Sequence, residues 1–273
     1  SVNEGALGPS PLATAALDRI KPGLHRYPPI DLDHLTDAIA AHHGIPDARR
    51  IIVGCGSDEL LATLCQAYVD PGDEVIVTQY AFVLFTHLTL MSGGVPVKAD
   101  DQGYTASVDN ILASVSARTK MVFLANPNNP TGTYLSRAEV QRLRDGLPET
   151  VLLVLDAAYA EYVERNDYSA GAAMVDAFEN VVMLRTYSKF YGMAGLRLGW
   201  AYCPEDIANT LASVKPPYGV NLGAVEAGIA TLEDHDFHAL SLRHNVDMIA
   251  WFGAQMTGLG LTVEPTVANF VML

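Results

Sequence analysis

The sequence predicts an α/β protein in which a mostly parallel central sheet carries helices on both faces. The first observation is a series of short, β-rich apolar runs, at residues 51–53, 75–77, 121–124, 151–155, 181–184 and 198–202. The second is that longer stretches with a helical pattern lie between these runs. Strands that are apolar throughout are buried on both faces, which is typical of parallel strands between two layers of helices. Ligands of such sheets bind at the carboxyl ends of the strands.

The helical stretches have recognisable starting points. Helices are predicted at residues 31–43, 57–69, 82–92, 107–116 and 136–145. Their expected N-caps are Asp31, Ser57, Ser107 and Ser136, because short polar side chains accept hydrogen bonds from the first turn of a helix. No internal repeat or low-complexity segment interrupts this order.

The alternation of strand and helix stops at residues 216–219, Pro-Pro-Tyr-Gly. Beyond them the chain has a helical pattern from about residue 222 to 257 and a strand-like pattern at 268–272. We therefore expect an amino-terminal arm at 1–26, a large domain at 27–215 and the start of a smaller α+β domain at 216–273. Both ends of the chain are abrupt, so we expect the native protein to extend beyond them.

Size and composition are those of a soluble, enzyme-like globular protein. The 273 residues are 49% hydrophobic and 18% charged, enough for one large α/β domain with part of a second. The net charge of -14, with no basic cluster longer than Arg49-Arg50, argues against nucleic acid as a partner. No apolar run approaches the roughly 18 residues that span a bilayer, and no signal peptide is recognisable, so we expect a cytoplasmic protein without a membrane partner.

Disulfide and metal chemistry are not indicated. Cys55, Cys65 and Cys203 form no Cys-x-x-Cys pair and are expected to be reduced, buried thiols. His235 and His238 are three positions apart on a predicted helix, but no third ligand accompanies them. A solvated helix face is therefore favoured over a metal site.

The most informative segment is Thr-Tyr-Ser-Lys at residues 186–189, followed by a glycine-rich stretch and Arg197. Lys189 is one of five lysines and follows an apolar run that predicts a buried strand. A partly desolvated lysine has a lowered pKa, and its neutral amine can form an imine with an aldehyde. These residues alone are equally compatible with a lysine that only extends from the core to solvent.

A second candidate is a glycine turn at residues 54–59, Gly-Cys-Gly-Ser-Asp-Glu, between a strand and a helix. The backbone amides of Ser57 and Asp58 are expected to bind an anion at the positive end of that helix. Glu59 replaces the third glycine of a dinucleotide fingerprint, so a single phosphate fits better than a dinucleotide. A plain turn capped by Ser57 is the alternative.

Two further polar positions follow strands. Residues 126–132, Asn-Pro-Asn-Asn-Pro-Thr-Gly, form a turn that two prolines and a glycine make rigid, which suits a side-chain amide that holds a ligand oxygen. Asp156 ends the apolar run 151–155, with Tyr159 three residues later. A buried carboxylate needs a cationic partner or hydrogen-bond donors, so Asp156 is expected to bind a positive group.

Together these sites require a ligand with a phosphate, an aldehyde, a basic ring nitrogen and a ring oxygen, and pyridoxal 5′-phosphate has all four. The motifs resemble those of the fold-type I pyridoxal-phosphate-dependent aminotransferases of class I/II, with the closest likeness to the histidinol-phosphate aminotransferases. The resemblance runs in order over nearly the whole chain. It rests on residues 26–28 (Arg-Tyr-Pro), 56–59, 79–82 (Gln-Tyr-Ala-Phe), 126–132, 156–159, 186–197 and 268–270 (Ala-Asn-Phe).

The resemblance implies roles around the cofactor ring. Lys189 would form the imine with the aldehyde, and Asp156 would pair with the ring nitrogen. Asn129 and Tyr159 would bond the ring oxygen, and Phe82 would stack on the ring face.

It also implies a phosphate site and a dimer. The phosphate would be held by the amides of Ser57 and Asp58, by Thr186 and Ser188, and by Arg197. Tyr27 would reach the cofactor phosphate of a neighbouring subunit, which implies a homodimer with shared active sites.

The implied function is transfer of an amino group from an amino acid or histidinol phosphate to a 2-oxo acid such as 2-oxoglutarate. A pyridoxal-phosphate-dependent decarboxylase of a phosphorylated amino acid is an alternative. An aminotransferase-like regulatory domain is a third possibility, but the chain lacks the basic DNA-binding segment expected of one.

The chain departs from the family pattern at two places: Gly5-Ala6 follows Asn3-Glu4 where relatives often have Asn-Pro, and Ala157 replaces an acidic residue. The arginines expected to bind substrate would lie beyond Leu273, so the amino donor cannot be identified.

Overall fold

The structure is a computed structural model that describes residues 2–273. Within this range one seven-stranded sheet has the order β1-β7-β6-β5-β4-β2-β3. Its strands are β1 (Ile51–Gly54), β2 (Glu74–Thr78), β3 (Val95–Ala99), β4 (Thr119–Ala125), β5 (Leu152–Asp156), β6 (Val181–Thr186) and β7 (Gly199–Tyr202). All neighbouring pairs are parallel except those of β7, which is antiparallel to both β1 and β6. The predicted α/β class with a mostly parallel sheet is confirmed.

Helices cover both faces of the sheet. They are α1 (Pro11–Ile20), α2 (Asp33–His43), α3 (Ser57–Tyr68), α4 (Val83–Met91), α5 (Val108–Ala113), α6 (Arg137–Gly146), α7 (Ala172–Ala177), α8 (Glu205–Val214), α9 (Leu222–Leu232) and α10 (His235–Gly258). Short 3-10 turns, such as Ala160–Tyr162 after β5, join some of these elements. No helix among the described residues is long and apolar enough to cross a bilayer.

The sheet separates two hydrophobic cores, because successive side chains of a strand point to opposite faces. In β4, Val122 and Leu124 belong to the core under α2, α5, α6, α7 and α9, whereas Met121 and Phe123 belong to the core under α3, α4 and α8. The central strands β4, β5 and β6 therefore contain continuous apolar runs, at residues 121–125, 152–155 and 181–184. This continuous apolar pattern is what made them recognisable in the sequence.

Strand β3 was missed because it lies at the edge of the sheet and is only partly buried. It contains Pro96 and Lys98, and its pattern lacks the continuous apolar run of the central strands. Helices α1, α7 and α8 were also not predicted.

Two of the four predicted N-caps are confirmed. Ser107 accepts a hydrogen bond from Asn110, and Ser136 accepts one from Glu139. The prediction for Ser57 was wrong, since α3 begins at Ser57 itself and Gly56, with φ of 79°, is its N-cap. The prediction for Asp31 was also wrong, because the cap position of α2 is one residue later and the Asp31 carboxylate accepts only from the backbone N–H of Asp33.

The carboxyl-terminal part differs from its sequence pattern in two ways. The predicted long helix is two helices, α9 and α10, and Asp234 caps the second. The predicted strand at 268–272 is absent, because the carbonyls of this segment accept from groups outside the sheet: that of Ala268 from the Asn245 side chain and that of Met272 from Glu264 N–H. Helix α9 packs against α1 and α2, whereas α10 has no buried residue. The division into domains at residue 216 stays a prediction.

Candidate active site

The carboxyl ends of β4, β5 and β6 open into a cavity of about 720 Å³. Parallel strands place their carboxyl ends at one edge of the sheet, so the loops that follow them meet there. The cavity is lined by all predicted site residues except Tyr27: Ser57, Asp58, Phe82, Asn129, Asp156, Tyr159, Thr186, Ser188, Lys189 and Arg197.

Lys189 lies in a tight turn just after β6. The turn is held by hydrogen bonds from Tyr187 N–H to the Leu198 carbonyl at 3.0 Å and from Gly192 N–H to the Lys189 carbonyl at 3.0 Å. The side chain is half-buried, and this burial lowers the pKa of its amine. Its Nζ donates to the carbonyl oxygen of Val2 at 2.7 Å. The amine therefore points into the cavity with a weakened hold on its proton.

Asp156 is the last residue of β5, and it is only 6% exposed. One carboxylate oxygen accepts a hydrogen bond from Ala158 N–H at 3.2 Å, and among residues 2–273 the carboxylate forms no ion pair. Burial, and to a lesser extent the negative charge of Asp58, raise the pKa of Asp156 to about 7. A buried carboxyl group in this setting binds its proton unusually tightly and favours a cationic ligand.

Tyr159 and Asn129 approach the cavity from two different loops. Tyr159 is buried, its hydroxyl lies 3.2 Å from the side-chain nitrogen of Asn3, and burial raises its pKa to about 12. Asn129 belongs to the turn after β4, where the neighbouring Asn128 side chain donates to the Tyr80 carbonyl and to Thr131 Oγ1. The turn is thus fixed by side-chain hydrogen bonds as well as by its prolines.

One end of the cavity is an anion cradle at the start of α3. Gly199 of β7 packs so closely there that a Cβ atom on it would lie 2.2 Å from the Ser57 nitrogen. Arg197, with φ of 56°, donates from Nη1 to Ser188 Oγ at 3.2 Å and from Nη2 to Asp58 Oδ2 at 3.1 Å. A helix amino terminus, a hydroxyl and a guanidinium therefore converge, an arrangement suited to phosphate. Thr186 joins them, because its hydroxyl accepts from Ser188 N–H at 3.1 Å.

The two predicted aromatic residues differ in placement. Phe82 lies at the start of α4, borders the cavity, and its ring meets the Phe85 ring edge-on at 5.8 Å. Tyr27 does not reach this cavity. It is 81% exposed and its ring lies 4.8 Å from that of Tyr218. Its expected role concerns a second subunit and stays a prediction.

The amino-terminal arm borders the cavity, which sequence reasoning missed. Val2, Asn3 and Glu4 line it. Gly5 allows this approach, because a Cβ atom on it would lie 2.5 Å from the carbonyl oxygen of Lys189. Gly5 is the departure noted in the sequence, and it was the only available signal of this contact.

The Ala-Asn-Phe motif holds both the arm and the tyrosine. The Asn269 side chain donates to the carbonyl of Asn3 at 3.1 Å and to that of Glu4 at 3.3 Å. The Phe270 ring meets the Tyr159 ring at 5.2 Å with the planes at 80°. A motif that served only for the family resemblance in the sequence analysis therefore supports residues that line the cavity.

The histidine pair of α10 is only partly solvated. His235 is exposed, but the His238 ring packs against Phe190 at 5.6 Å and against Tyr191 at 5.3 Å. The expectation of a solvated face was therefore wrong for His238. Within residues 2–273 no group of three or more His, Cys, Asp or Glu side chains is placed to hold a metal ion, and the three cysteines are free.

Comparisons with known proteins agree with this geometry. The family model described as "Aminotransferase class I and II" matches residues 1–273. The histidinol-phosphate aminotransferase of Paramagnetospirillum magneticum is 51% identical over 273 residues, which are 100% of this chain and 75% of that protein. The one from Maricaulis maris is 47% identical over the same length and share. The crystal structure of histidinol-phosphate aminotransferase from Sinorhizobium meliloti in complex with pyridoxal-5′-phosphate has a TM-score of 0.95 at 29% identity, covering 99% of this chain and 74% of that one.

Proposed function

The chain belongs to the class I and II aminotransferase family and has its fold-type I architecture, and from this premise we propose that it transfers the amino group of histidinol phosphate to a 2-oxo acid. It is a pyridoxal-phosphate-dependent aminotransferase. The choice of histidinol phosphate is supported by the relatives of that name, which are 47–51% identical over the whole chain. The acceptor is proposed to be 2-oxoglutarate, and the reaction would serve histidine biosynthesis.

The observation that carries the proposal is a buried carboxyl group without a cation that shares its cavity with a half-buried lysine. Asp156 suits the ring nitrogen of pyridoxal phosphate, because a protonated nitrogen would supply the missing positive partner. Lys189 suits the aldehyde, because its lowered pKa makes the neutral amine more available. Asn129 and Tyr159 suit the ring oxygen, and Phe82 suits the ring face.

The anion cradle suits the phosphate of the cofactor. The amides of Ser57 and Asp58 begin a helix of 12 residues whose positive end faces the cavity. Arg197 adds a fixed cation and the Ser188 hydroxyl a further donor. The Thr186 hydroxyl donates to the Leu198 carbonyl at 3.4 Å and would add another donor on leaving that bond. Gly199 permits this arrangement because its missing side chain leaves room for the start of the helix.

The residues divide the chemistry among them. Pyridoxal phosphate supplies an aldehyde that binds amino groups and a ring that accepts electrons. Lys189 is proposed to take a proton from the substrate carbon and to deliver it to the former aldehyde carbon of the cofactor, since its neutral amine is a competent base. Asp156 is proposed to keep the ring nitrogen protonated. Amino-group transfer therefore depends on two side chains with different tasks: Lys189 must move a proton, and Asp156 must hold one on the ring nitrogen.

We also propose a homodimer in which Tyr27 reaches the cofactor phosphate of the partner. Tyr27 is exposed together with the nearby Leu24 and Ile30, which leaves an apolar surface beside the large domain. The mass of the particle in solution, measured by light scattering, tests the dimer. Replacement of Tyr27 by Phe should then weaken cofactor binding without changing that mass. The cytoplasmic location expected from the sequence stays a prediction.

The function is tested with a panel of amino donors: histidinol phosphate, phenylalanine, tyrosine and glutamate, each with 2-oxoglutarate or another oxo acid. The expected result is glutamate formation, with the highest kcat/KM for histidinol phosphate. Carbon dioxide release from a phosphorylated amino acid without glutamate formation would favour the decarboxylase instead.

The lysine assignment has a matched control in the same chain. Lys215 is also half-buried with a pKa lowered by burial, but it donates to the Val53 carbonyl and lies outside the cavity. Lys189→Ala is expected to abolish both turnover and the visible absorbance of the lysine-bound cofactor. Lys215→Ala should retain that absorbance. Retention by Lys189→Ala would overturn the assignment.

A further inference from the structure

The side chain of Asn3 touches Tyr159 at the cavity wall, and the direction of their hydrogen bond is informative. Nδ2 of Asn3 donates to the phenol oxygen at 3.2 Å. We propose that Asn3 is a positioning residue that acts through Tyr159, by occupying the acceptor side of the phenol so that the phenol proton points to the cofactor ring oxygen. This inference rests on the proposed function, because it presumes that the ring oxygen lies beside Tyr159.

The chemistry of the amide and the phenol fixes which of them donates the hydrogen bond. A phenol has one proton to donate and lone pairs with which to accept, whereas an amide NH₂ group can only donate. Once Asn3 donates to the oxygen, Tyr159 must give its own proton to another acceptor. Among the described residues the Tyr159 hydroxyl makes no hydrogen bond besides the one from Asn3. Burial keeps the phenol protonated, so it is a donor at neutral pH.

Both partners are held independently of each other. Asn3 has φ of 63°, a left-handed conformation that asparagine tolerates better than most residues. Its carbonyl accepts from Asn269, and the adjacent Gly5 packs on the Lys189 turn. The Tyr159 ring is held by the edge contact with Phe270. The contact between amide and phenol is therefore built by two anchored segments 156 positions apart in sequence.

The consequence is electrostatic. A proton donated by Tyr159 would stabilise negative charge on the ring oxygen. The pH midpoint of the visible absorbance of the cofactor-loaded protein should then be lower than it would be without this donation. Asn3 sustains the donation, so its loss is expected to raise the midpoint.

Two substitutions of Asn3 test this by absorbance titration of the loaded protein. Asn3→Ala removes the amide donor. Asn3→Asp keeps the size and the tolerance for the left-handed conformation, but its carboxylate can only accept and would attract the phenol proton away from the ring. Both are expected to raise the midpoint, Asn3→Asp by roughly 0.5 to 1 pH unit and Asn3→Ala by less.

The same substitutions in a Tyr159→Phe background separate positioning from general effects. If Asn3 acts through the phenol, neither change should shift the midpoint once the hydroxyl is gone. An equal shift in the Phe background, as a simple charge effect of the new carboxylate would give, overturns the inference, as does an unchanged midpoint when Tyr159 is present. Failure of the proposed function looks different: the parent protein would show no titrating visible absorbance, or Lys189→Ala would retain it.

Discussion

Asp156→Asn should stabilise the cofactor-free protein at neutral and higher pH. Its buried position raises the pKa of this carboxyl group to about 7, against an ordinary value of 3.8. Between these two pH values the folded protein keeps a proton that the unfolded chain loses, so the free energy of unfolding falls as pH rises. The gap of about three pH units corresponds to roughly 4 kcal/mol. Asparagine cannot ionise, so the Asp156→Asn protein does not lose this stability as pH rises.

The assay is urea unfolding of the cofactor-free proteins at several pH values from 4 to 8, followed by circular dichroism. The difference between variant and parent matters, because other carboxylates contribute equally to both. The variant should gain up to about 4 kcal/mol over the parent by pH 8 and little at pH 4. Asp247→Asn, at an exposed position on α10, is the control for the loss of a surface carboxylate. The reasoning is refuted if the Asp156→Asn difference is constant over this pH range.

With the cofactor present, we expect the parent protein to be more stable than Asp156→Asn. The ring nitrogen would then give the carboxylate its cationic partner, and removing one member of a buried charge pair costs about 3–5 kcal/mol. Asp156→Asn is therefore expected to bind pyridoxal phosphate much more weakly than the parent while unfolding at higher urea when cofactor is absent. A gain in both properties would contradict the assigned partner. The site exchanges folding stability for ligand affinity.

Gly199→Ala should weaken cofactor binding roughly tenfold or more with little change in circular dichroism, because its Cβ would displace the Ser57 amide by which α3 begins. Unchanged affinity in a fluorescence titration would contradict this. Arg185→Met should cost about 3–5 kcal/mol in urea unfolding, because it leaves Glu161 buried without its cation, and Glu161→Gln in the same chain should recover much of that loss. Phe82→Ala should cost only about 0.5–1.5 kcal/mol of cofactor affinity beyond its buried area. A loss as large as that of Asp156→Asn would refute its role as a ring contact.

The central strands and the cavity were predictable for the same reason. Strands buried on both faces are apolar throughout, and their parallel direction places the residues after them at a common edge. Asp156 and Lys189 follow β5 and β6, which are adjacent and parallel in the structure, so both residues lie at that edge. The edge strand β3 lacks the apolar signal, because solvent meets part of its surface and Lys98 is tolerated there.

The arm contacts were beyond sequence reasoning. Asn3 meets Tyr159 across 156 positions, and Gly5 lies against the Lys189 carbonyl at a distance that leaves no room for a Cβ atom. No periodicity connects such distant residues. The misplaced cap at Ser57 has a similar cause, since Gly56 can adopt a positive φ and takes the cap position itself.

Because the sheet divides the interior, residues that are adjacent in the chain can contribute to stability through different cores. Val122 and Phe123 are adjacent in the chain, yet their side chains belong to different cores on opposite sides of β4. The changes in the free energy of unfolding caused by substitutions at these two positions should therefore be additive. Substitutions at Val122 and the distant Leu153, which share one core, should give a change that differs from the sum of the two single changes. The core on one side of the sheet can thus be repacked during evolution or engineering while the packing of the other core stays unchanged.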